Sequence, residues 1–460
     1  MRKYAKYTAV ESLWMHSIPD HWEYNKLRSI FWQRKEKNDP IKTTEILSLS
    51  AKAGVQLYSE KEHGGGNKAK DDITKYNIAH NGDIIVNCMN IISGSVGLSK
   101  WHGAISPVYY ALVTRNGAYN RFYYHYLFKI ETFQKSLLTL GRGILMHESS
   151  TGKLNTIRMR VSMGDLNNEY LPVPPRDEQD QIVRYLDWKV SSINRLIHGY
   201  QRQIKLLEEY KKTQITHLVT HGVKNGEMVD SEIYWLESVP KGWQTTRLKH
   251  ILKKQERPIP SNAELLICSN SGEVKKRGES KMGLVAESND IYQGVKKGDL
   301  LIHGMDTWHG AIAVSDYDGM CTPVVHVCTS TESVRFIAYY LKMMAYTKVF
   351  KAISNGVRQN TSDFRSWDKA GALYIALPSI EEQELISDTI DVAVANIDNS
   401  ISVIYRSIEA LKEYRTRLIS DVVTGQVDVR GVVIPDYTPE EDNAAEEEIN
   451  DPEEVTENAD

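Results

Sequence analysis

Residues 82–108, GDIIVNCMNIISGSVGLSKWHGAISPV, return without gaps as residues 298–324, GDLLIHGMDTWHGAIAVSDYDGMCTPV. The match aligns Gly82 with Gly298 and Asp83 with Asp299. In each copy a Gly-Asp turn leads into alternating apolar residues, and the later glycines are spaced like hairpin turns. The sequence therefore predicts the same strand-and-hairpin unit twice in one chain.

Two further blocks recur in the same order, one before and one after this unit. The first reads WMHSIPDHW from Trp14 and WLESVPKGW from Trp235, and we expect its tryptophans to pack in a core. The second reads VPPRDEQ from Val173 and LPSIEEQ from Leu377. A period slightly above 200 residues indicates a domain duplication, because solenoid repeats are much shorter.

A long helix is expected after each copy, because proline followed by acidic residues is typical of a helix start. The apolar positions then step by four and three residues, as in the heptad seam of a coiled coil. These positions are Ile193, Ile197, Tyr200, Ile204 and Leu207, and then Ile397, Ile401, Ile404, Ile408 and Leu411. A helix of about 40 residues spans roughly 60 Å, too long for one globular core. We therefore expect the two helices to pack on each other as an antiparallel pair.

The charge of the chain is unevenly distributed. The formal net charge is −4, but residues 431–460 hold 12 acidic residues and no Lys or Arg. Residues 1–430 therefore carry 56 basic against 48 acidic side chains, a formal charge of +8. A moderately basic body favours a polyanionic partner. The tail has few large apolar residues, and we expect it to be disordered.

Several classes of protein are disfavoured. The chain has no long apolar run and no secretory signal, so we expect a cytoplasmic protein without a membrane span. Its four cysteines form no CxxC pair, and no phosphate loop, HExxH helix or GxSxG elbow is present. His303 and His309 flank a turn in which only Asp306 has a ligand-like spacing. We expect no metal site, no cofactor and no catalytic activity.

The three blocks, taken together and in this order, resemble the specificity subunit of type I restriction-modification systems. The likeness is carried by the Trp-x-x-Ser-x-Pro-x-x-Trp starts, the Gly-Asp turns, the Pro-x-x-acid-Glu-Gln helix starts and the two seams. It covers most of residues 10–430, and the tail after Arg430 has no counterpart in the repeat.

The resemblance implies a non-catalytic DNA-binding protein with an α+β fold. Two mixed α/β target-recognition domains would alternate with two long helices that pair as an antiparallel coiled coil, giving a pseudo-twofold repeat. Each domain would bind one half of a bipartite, asymmetric site in double-stranded DNA. The helices would set the spacer and dock two methyltransferase subunits, and two translocase-nuclease subunits would complete a restriction enzyme. The expected division is 1–175, 176–224, 225–379, 380–430 and an acidic disordered tail at 431–460.

The residues that read DNA are expected where the two copies differ, because an asymmetric site needs different contacts in each half. Arg suits guanine, and Asn and Gln suit adenine. The candidates for base contacts are Arg142, His147, Lys153, Asn155, Arg158, Asn87 and Asn90 in the first copy, and His303, Asp306, Trp308, His309, Asn355, Arg358, Gln359 and Asn360 in the second. The candidates for phosphate contacts are Lys68, Lys70, Lys275, Lys276, Arg277 and Lys281.

Two other functions are compatible with parts of the pattern. A duplicated coiled-coil scaffold that binds proteins would keep the seams but show no DNA preference. An enzyme on a duplicated fold would need convergent acids, histidines or nucleophiles in at least one half, and the sequence shows none.

Overall fold

The structure is a computed structural model of the full chain. The described residues are 2–51, 53–60, 72–141, 160–224, 226–278, 292–353 and 364–440, with the backbone of 147–148 and 154–155. They fall into two compact units. Of the described residues, unit 1 holds those up to 200 and 406–440, and unit 2 holds those within 201–405. Each unit mixes helices and strands, so the chain is a mixed α/β protein.

Unit 1 is built from short strands and short helices, followed by the first half of a long helix. Its strands are β1 Tyr7–Ala9, β2 Ser17–Pro19, β3 Glu23–Lys26, β4 Phe31–Arg34, β5 Leu47–Ser50, β6 Gly54–Leu57, β7 Asn77–Ala79, β8 Ile84–Asn87, β9 Val96–Leu98, β10 Gly103–Ile105, β11 Tyr109–Thr114, β12 His147–Glu148, β13 Leu154–Asn155 and β14 Tyr170–Val173. Its helices are α1 Leu27–Ile30, α2 Arg121–Phe128, α3 Glu131–Ser136 and α4 Met163–Leu166, and the long helix is α5 Arg176–His221.

Unit 2 follows the same plan. Its strands are β15 Met228–Asp230, β16 Ser238–Pro240, β17 Gln244–Arg247, β18 Leu252–Lys254, β19 Leu266–Cys268, β20 Val274–Lys276, β21 Gln293–Val295, β22 Leu300–His303, β23 Ile312–Val314, β24 Gly319–Cys321, β25 Val325–Ser330 and β26 Tyr374–Leu377. Its helices are α6 Leu248–Ile251, α7 Val334–Tyr346, α8 Val349–Ile353 and α9 Trp367–Gly371, and the second long helix is α10 Ile380–Val423.

The quoted repeat supplies one inner strand and one edge strand of an antiparallel four-stranded sheet in each unit. The strand order is β4-β11-β8-β9 in unit 1 and β18-β25-β22-β23 in unit 2. β8 and β22 are buried on both faces, which explains their nearly continuous apolar sequence. The recurring tryptophans pack as predicted: Trp14 contacts Phe133 and Trp235 contacts Tyr340 through their ring edges.

The aspartate of each Gly-Asp turn is a scaffold residue. Arg34 donates to the buried carboxylate of Asp83, with Nε 2.7 Å from Oδ2, and Arg257 forms the corresponding pair with Asp299. The hydrogen bonds to Asp83 hold the pKa of Arg34 above its ordinary value. Because a buried carboxylate is costly without a partner, each ion pair fixes the start of the central strand to a neighbouring segment.

The apolar seam positions of the long helices are largely buried. Ile193, Ile197 and Ile204 on α5 are at most 6% exposed, and Ile401, Ile404 and Ile408 on α10 at most 8%. In unit 1, Arg415 donates to the side-chain oxygen of Asn194 at 2.6 Å. In unit 2, Lys211 forms an ion pair of 2.6 Å with Asp398.

The beginning of the tail differs from the expectation of disorder. Residues 431–440 lie along α5 in unit 1, where Gln181 donates to the carbonyl oxygen of Val432 at 2.8 Å. Glu440 accepts from the Nδ1 side of His198 at 2.8 Å and lies 3.4 Å from Nε of Arg195. Val432 and Tyr437 are half-buried, so part of the segment is shielded from solvent, which a count of its acids does not reveal. Residues 441–460 lie outside the described residues.

Candidate nucleic-acid interface

A tight turn follows the central strand of unit 1. Asn87 ends β8, is 8% exposed, and accepts the N–H of Met89 through its side-chain oxygen at 3.0 Å. Asn90 is exposed and precedes a 3-10 turn, Ile91–Ser93, that ends at Gly94 with a φ of 80°. This left-handed conformation favours glycine. Asn87 therefore closes the turn, whereas the side chain of Asn90 points away from the buried core.

Unit 2 has the same turn with different side chains. His303 ends β22, and its Nδ1 lies 3.2 Å from the N–H of Asp306 and 3.1 Å from the Asp306 carboxylate. The 3-10 turn Thr307–His309 ends at Gly310 with a φ of 87°. Burial lowers the pKa of His303, Asp306 opposes that shift, and Arg365 adds to it. His303 thus takes the turn-closing place that Asn87 has in unit 1.

The other two candidates in this turn have different environments. Trp308 is half-buried against the core of unit 2, and its Nε1 has no hydrogen-bond partner among the described residues. His309 is exposed. Trp308 therefore contributes to packing, and His309 is accessible to a ligand.

The basic hairpin β19–β20 lies in unit 2 and carries intramolecular acid partners. Nζ of Lys275 lies 3.6 Å from Glu273, and Lys276 forms an ion pair of 2.5 Å with Glu264. The hydrogen bond to Glu264 raises the pKa of Lys276. Arg277 is half-buried and its N–H donates to the carbonyl oxygen of Leu265. A phosphate would have to compete with these carboxylates for the two lysines.

The remaining predicted contacts are only partly visible. His147 and Asn155 are paired across the short strands β12 and β13, and their side chains are not described. The residues that lie outside the described ranges are Lys68, Lys70, Arg142, Lys153, Arg158, Lys281, Asn355, Arg358, Gln359 and Asn360.

Most of the candidates for base contacts fall in two stretches, residues 141–160 in unit 1 and 354–367 in unit 2, which we call the predicted reading segments. The chain leaves each of them beside the turn of the same unit. In unit 1 the N–H of Val161 donates to the carbonyl oxygen of Cys88 at 2.9 Å. In unit 2 the backbone of Phe364 and Arg365 passes Gly304 so closely that a Cβ on Gly304 would lie 2.9 Å from Phe364 O and from the Cα of Arg365. The structure therefore brings the hairpin turn and the end of the reading segment together in both units.

Two exposed arginines beside these points were not singled out by sequence reasoning. Arg160 precedes Val161 and interacts with the hydroxyl of Tyr110, which raises the pKa of Arg160. Arg365 follows Phe364 and contacts the sulfur of Met305. Each is the last basic residue of its segment, GRGILMHESSTGKLNTIRMR or SNGVRQNTSDFRSW. That position at the end of a basic, polar segment is the feature of the sequence that could have identified them as candidates.

Within the parts of the chain that the structure describes, no group of three His, Cys, Asp or Glu side chains is placed to hold a metal ion. In the same ranges, no helix has both the length and the apolar composition that crossing a membrane requires. The four cysteines are buried and free.

Comparison with known proteins identifies the first copy. The family model described as type I restriction modification DNA specificity domain matches residues 19–206. A chain from a structural study of complex assembly and conformational transition of the type I R-M system has the same fold. Its TM-score is 0.62 at 12% identity, over 89% of this chain and 99% of that chain.

Two further solved structures are similar over most of their length. The HsdS subunit from Thermoanaerobacter tengcongensis has a TM-score of 0.49 at 14% identity, covering 89% of this chain and 98% of that chain. The type I restriction-modification system S subunit from M. genitalium has a TM-score of 0.32 at 16% identity, covering 91% and 97%. The family match assigns residues 19–206 of this chain to the type I restriction modification DNA specificity domains.

Proposed function

We propose that the chain is the non-catalytic specificity subunit of a type I restriction-modification complex. Each unit reads one half of a bipartite, asymmetric site in double-stranded DNA. The family match over residues 19–206 supports DNA recognition by the first copy, and the shared plan of the units extends that role to the second.

The observation that carries the proposal is the same turn with different side chains in the two units. Asn87 and Asn90 in unit 1 correspond to His303 and Asp306 in unit 2. Asn offers an amide for base edges, whereas a carboxylate accepts from cytosine N4. A common scaffold with unlike polar groups is what recognition of two unlike half-sites requires.

The contacts with DNA are proposed in two classes. Base contacts come from Asn90, Asp306, His309 and the predicted reading segments around Arg142–Arg158 and Asn355–Asn360, with Arg160 and Arg365 at the ends of those segments. Lys275, Lys276 and the other basic loop residues contact phosphates, which position the protein without specifying sequence. Asn87, His303 and Trp308 act mainly by shaping the turns.

The long helices are proposed to pair as an antiparallel coiled coil and to dock two methyltransferase subunits. In unit 1, Asn194 of α5 bonds with Arg415 of α10, and Gln181, earlier on α5, bonds with Val429, which follows the end of α10. As the residue number falls along α5, the number of the partner rises, as expected for antiparallel helices. In unit 2, Asp398 of α10 pairs with Lys211 of α5, and Glu382, earlier on α10, lies close to Gly222, just after α5. The numbers again run in opposite directions.

Partner docking is supported by large apolar side chains that remain exposed on the helices. They include Leu196, Leu206 and Tyr210 on α5, and Val392, Val403, Tyr405 and Tyr414 on α10. The proposed division of the chain is recognition domains at 1–175 and 225–379, helical regions at 176–224 and 380–430, and the tail at 431–460. In a restricting system, two translocase-nuclease subunits join this assembly.

The decisive experiment maps methylated adenine at base resolution in cells that express the chain with its neighbouring methyltransferase, with and without the chain. We expect methylation confined to one split motif and lost when the chain is deleted. An unchanged methylation pattern would contradict the proposal and favour a coiled-coil scaffold that binds proteins only.

A further inference from the structure

One side chain of the central sheet holds the end of each reading segment, and it differs between the two units. In unit 1 the hydroxyl of Tyr110 on β11 donates to the carbonyl oxygen of Val161 at 3.2 Å. In unit 2 the Nε2 of His326 on β25 lies 2.7 Å from the carbonyl oxygen of Phe364. We call these two contacts the exit anchors.

The two exit anchors occupy equivalent places in the sheets. Tyr110 pairs with Val86 on β8, and His326 pairs with Ile302 on β22. Val86 and Ile302 are matched by the ungapped sequence repeat. Both anchoring side chains are buried, at 5% and 2% exposure, and so are Val161 and Phe364, at 1% and 5%. The anchors are therefore built into the core and are not surface contacts.

The surroundings of His326 in unit 2 favour the neutral imidazole. A carbonyl oxygen only accepts, so Nε2 carries the proton. The other ring nitrogen, Nδ1, is buried and has no hydrogen-bond partner among the described residues. A second proton would create a buried positive charge with an unpaired N–H, which is costly. Tyr110 keeps its single proton at all physiological pH values, because burial raises its pKa.

The groups around His326 do not compensate for a positive charge. Lys254 on β18 and His303 on β22 both disfavour it, and the ring of Trp367 on α9 packs against the imidazole at 5.5 Å between centroids. The carboxylate of Asp306 is engaged with His303. Burial is the largest cause that lowers the pKa of His326, and the Phe364 carbonyl only partly opposes it.

We propose that Tyr110 and His326 are positioning residues for DNA recognition, and that the histidine makes recognition by unit 2, but not by unit 1, sensitive to acid. This inference rests on the proposed function. Protonated His326 is more stable outside its packed site, so acid favours release of Phe364. The effect is absent well above the ordinary histidine pKa of 6.5 and grows as the pH falls below it.

The test uses the full chain assembled with its methyltransferase and a duplex that carries the mapped split motif. Protection of each half-site by hydroxyl-radical footprinting is compared between about pH 7.5 and about pH 5.8, which spans the ordinary histidine pKa. We expect protection of one half-site to weaken by up to about sixfold. This is the factor by which protonation of a free imidazole at the lower pH favours the released state over the anchored one. The other half-site should change much less.

Two variants separate positioning from general stability. His326→Gln keeps an amide donor for Phe364 but cannot titrate, so the acid response should disappear while binding near neutral pH is retained. Tyr110→Phe removes the donor in unit 1 and should weaken the other half-site equally at both pH values. Equal acid responses of the two half-sites, or an acid response that survives in His326→Gln, would overturn the inference.

Failure of the proposed function has a different signature. In that case no split motif exists, and the anchor is tested through hydrogen exchange of the Ala370 and Leu373 amides, which donate to the carbonyl oxygens of Ser366 and Ala370 just after the anchored residue. Their protection factors should fall in acid in the wild-type chain and stay constant in His326→Gln. Protection factors that do not depend on pH in the wild type would refute the pH-sensitive anchor even without DNA.

Discussion

The side-chain oxygen of Gln179 accepts the backbone N–H of Asn120 at 2.7 Å, which ties the first turn of α5 to the residue that caps α2. Gln383 does the same for Ser333 at 3.0 Å, at the starts of α10 and α7. Both glutamines are fully buried and also donate to the carbonyl oxygen of a preceding proline. The recurring glutamine is thus a structural joint between the sheet-containing part of each unit and its long helix.

Replacing either glutamine should destabilise its own unit. Gln179→Leu leaves the N–H of Asn120 buried without a partner, and we expect a loss of about 1–3 kcal/mol in the free energy of unfolding. Gln383→Leu should behave alike through Ser333. Denaturant unfolding measures both. Gln203→Ala, at an exposed position of α5, is the control and should stay within about 0.5 kcal/mol of wild type. Equal free energies of unfolding for all three variants would contradict a stabilising role of the two glutamines.

Gly304→Ala should disturb recognition by unit 2. Its new Cβ would meet the backbone of Phe364 and Arg365 at 2.9 Å, so that segment must move at a cost of about 1–3 kcal/mol. Footprinting should show weaker protection of one half-site, the same one that responds to acid through His326. Gly199→Ala on α5 meets nothing within 4 Å and should stabilise the helix by about 1 kcal/mol, which makes it a matched control. Equal loss at both half-sites in Gly304→Ala would contradict this placement.

Acid should release the start of the tail from α5. The hydrogen bond with His198, and then that with Arg195, lowers the pKa of Glu440 below its ordinary value of 4.5. A lowered carboxyl pKa means that the contact contributes fully above about pH 4.5 and is lost as the pH falls through the shifted value. The protection factors of the amides in residues 431–440 should therefore fall in that range. Glu440→Gln should show fast exchange already at neutral pH, and slow exchange in this variant would show that the carboxylate does not hold the tail.

Exchanging residues 14–175 for the same region of a related chain should change one half-site only. Each unit has its own sheet, turn and exit anchor, so the contacts of unit 2 are retained. Methylation mapping of the chimera reads both half-sites at once. A motif altered in both halves would show that the units do not recognise DNA independently.

Much of the fold was encoded locally. The Gly-Asp turns, the glycines at Gly94 and Gly310, and the four-three step of the seams are contiguous patterns of turn chemistry and periodicity. They predicted the paired strands, the two long helices and the buried seam because each depends on neighbours in sequence. The candidate site was less accessible, since a polar residue in a loop has the same sequence signal whether it closes a turn or faces a ligand.

The sequence by itself determined that this protein is a duplicated strand-and-helix chain with unlike polar groups at equivalent turns. Only the tertiary structure decided that Asn87 and His303 close their turns, that His326 holds Phe364 and that Glu440 returns to His198. The last two contacts join residues 38 and 242 positions apart. Such contacts depend on how the chain folds back on itself, and no local pattern of residues encodes that distance.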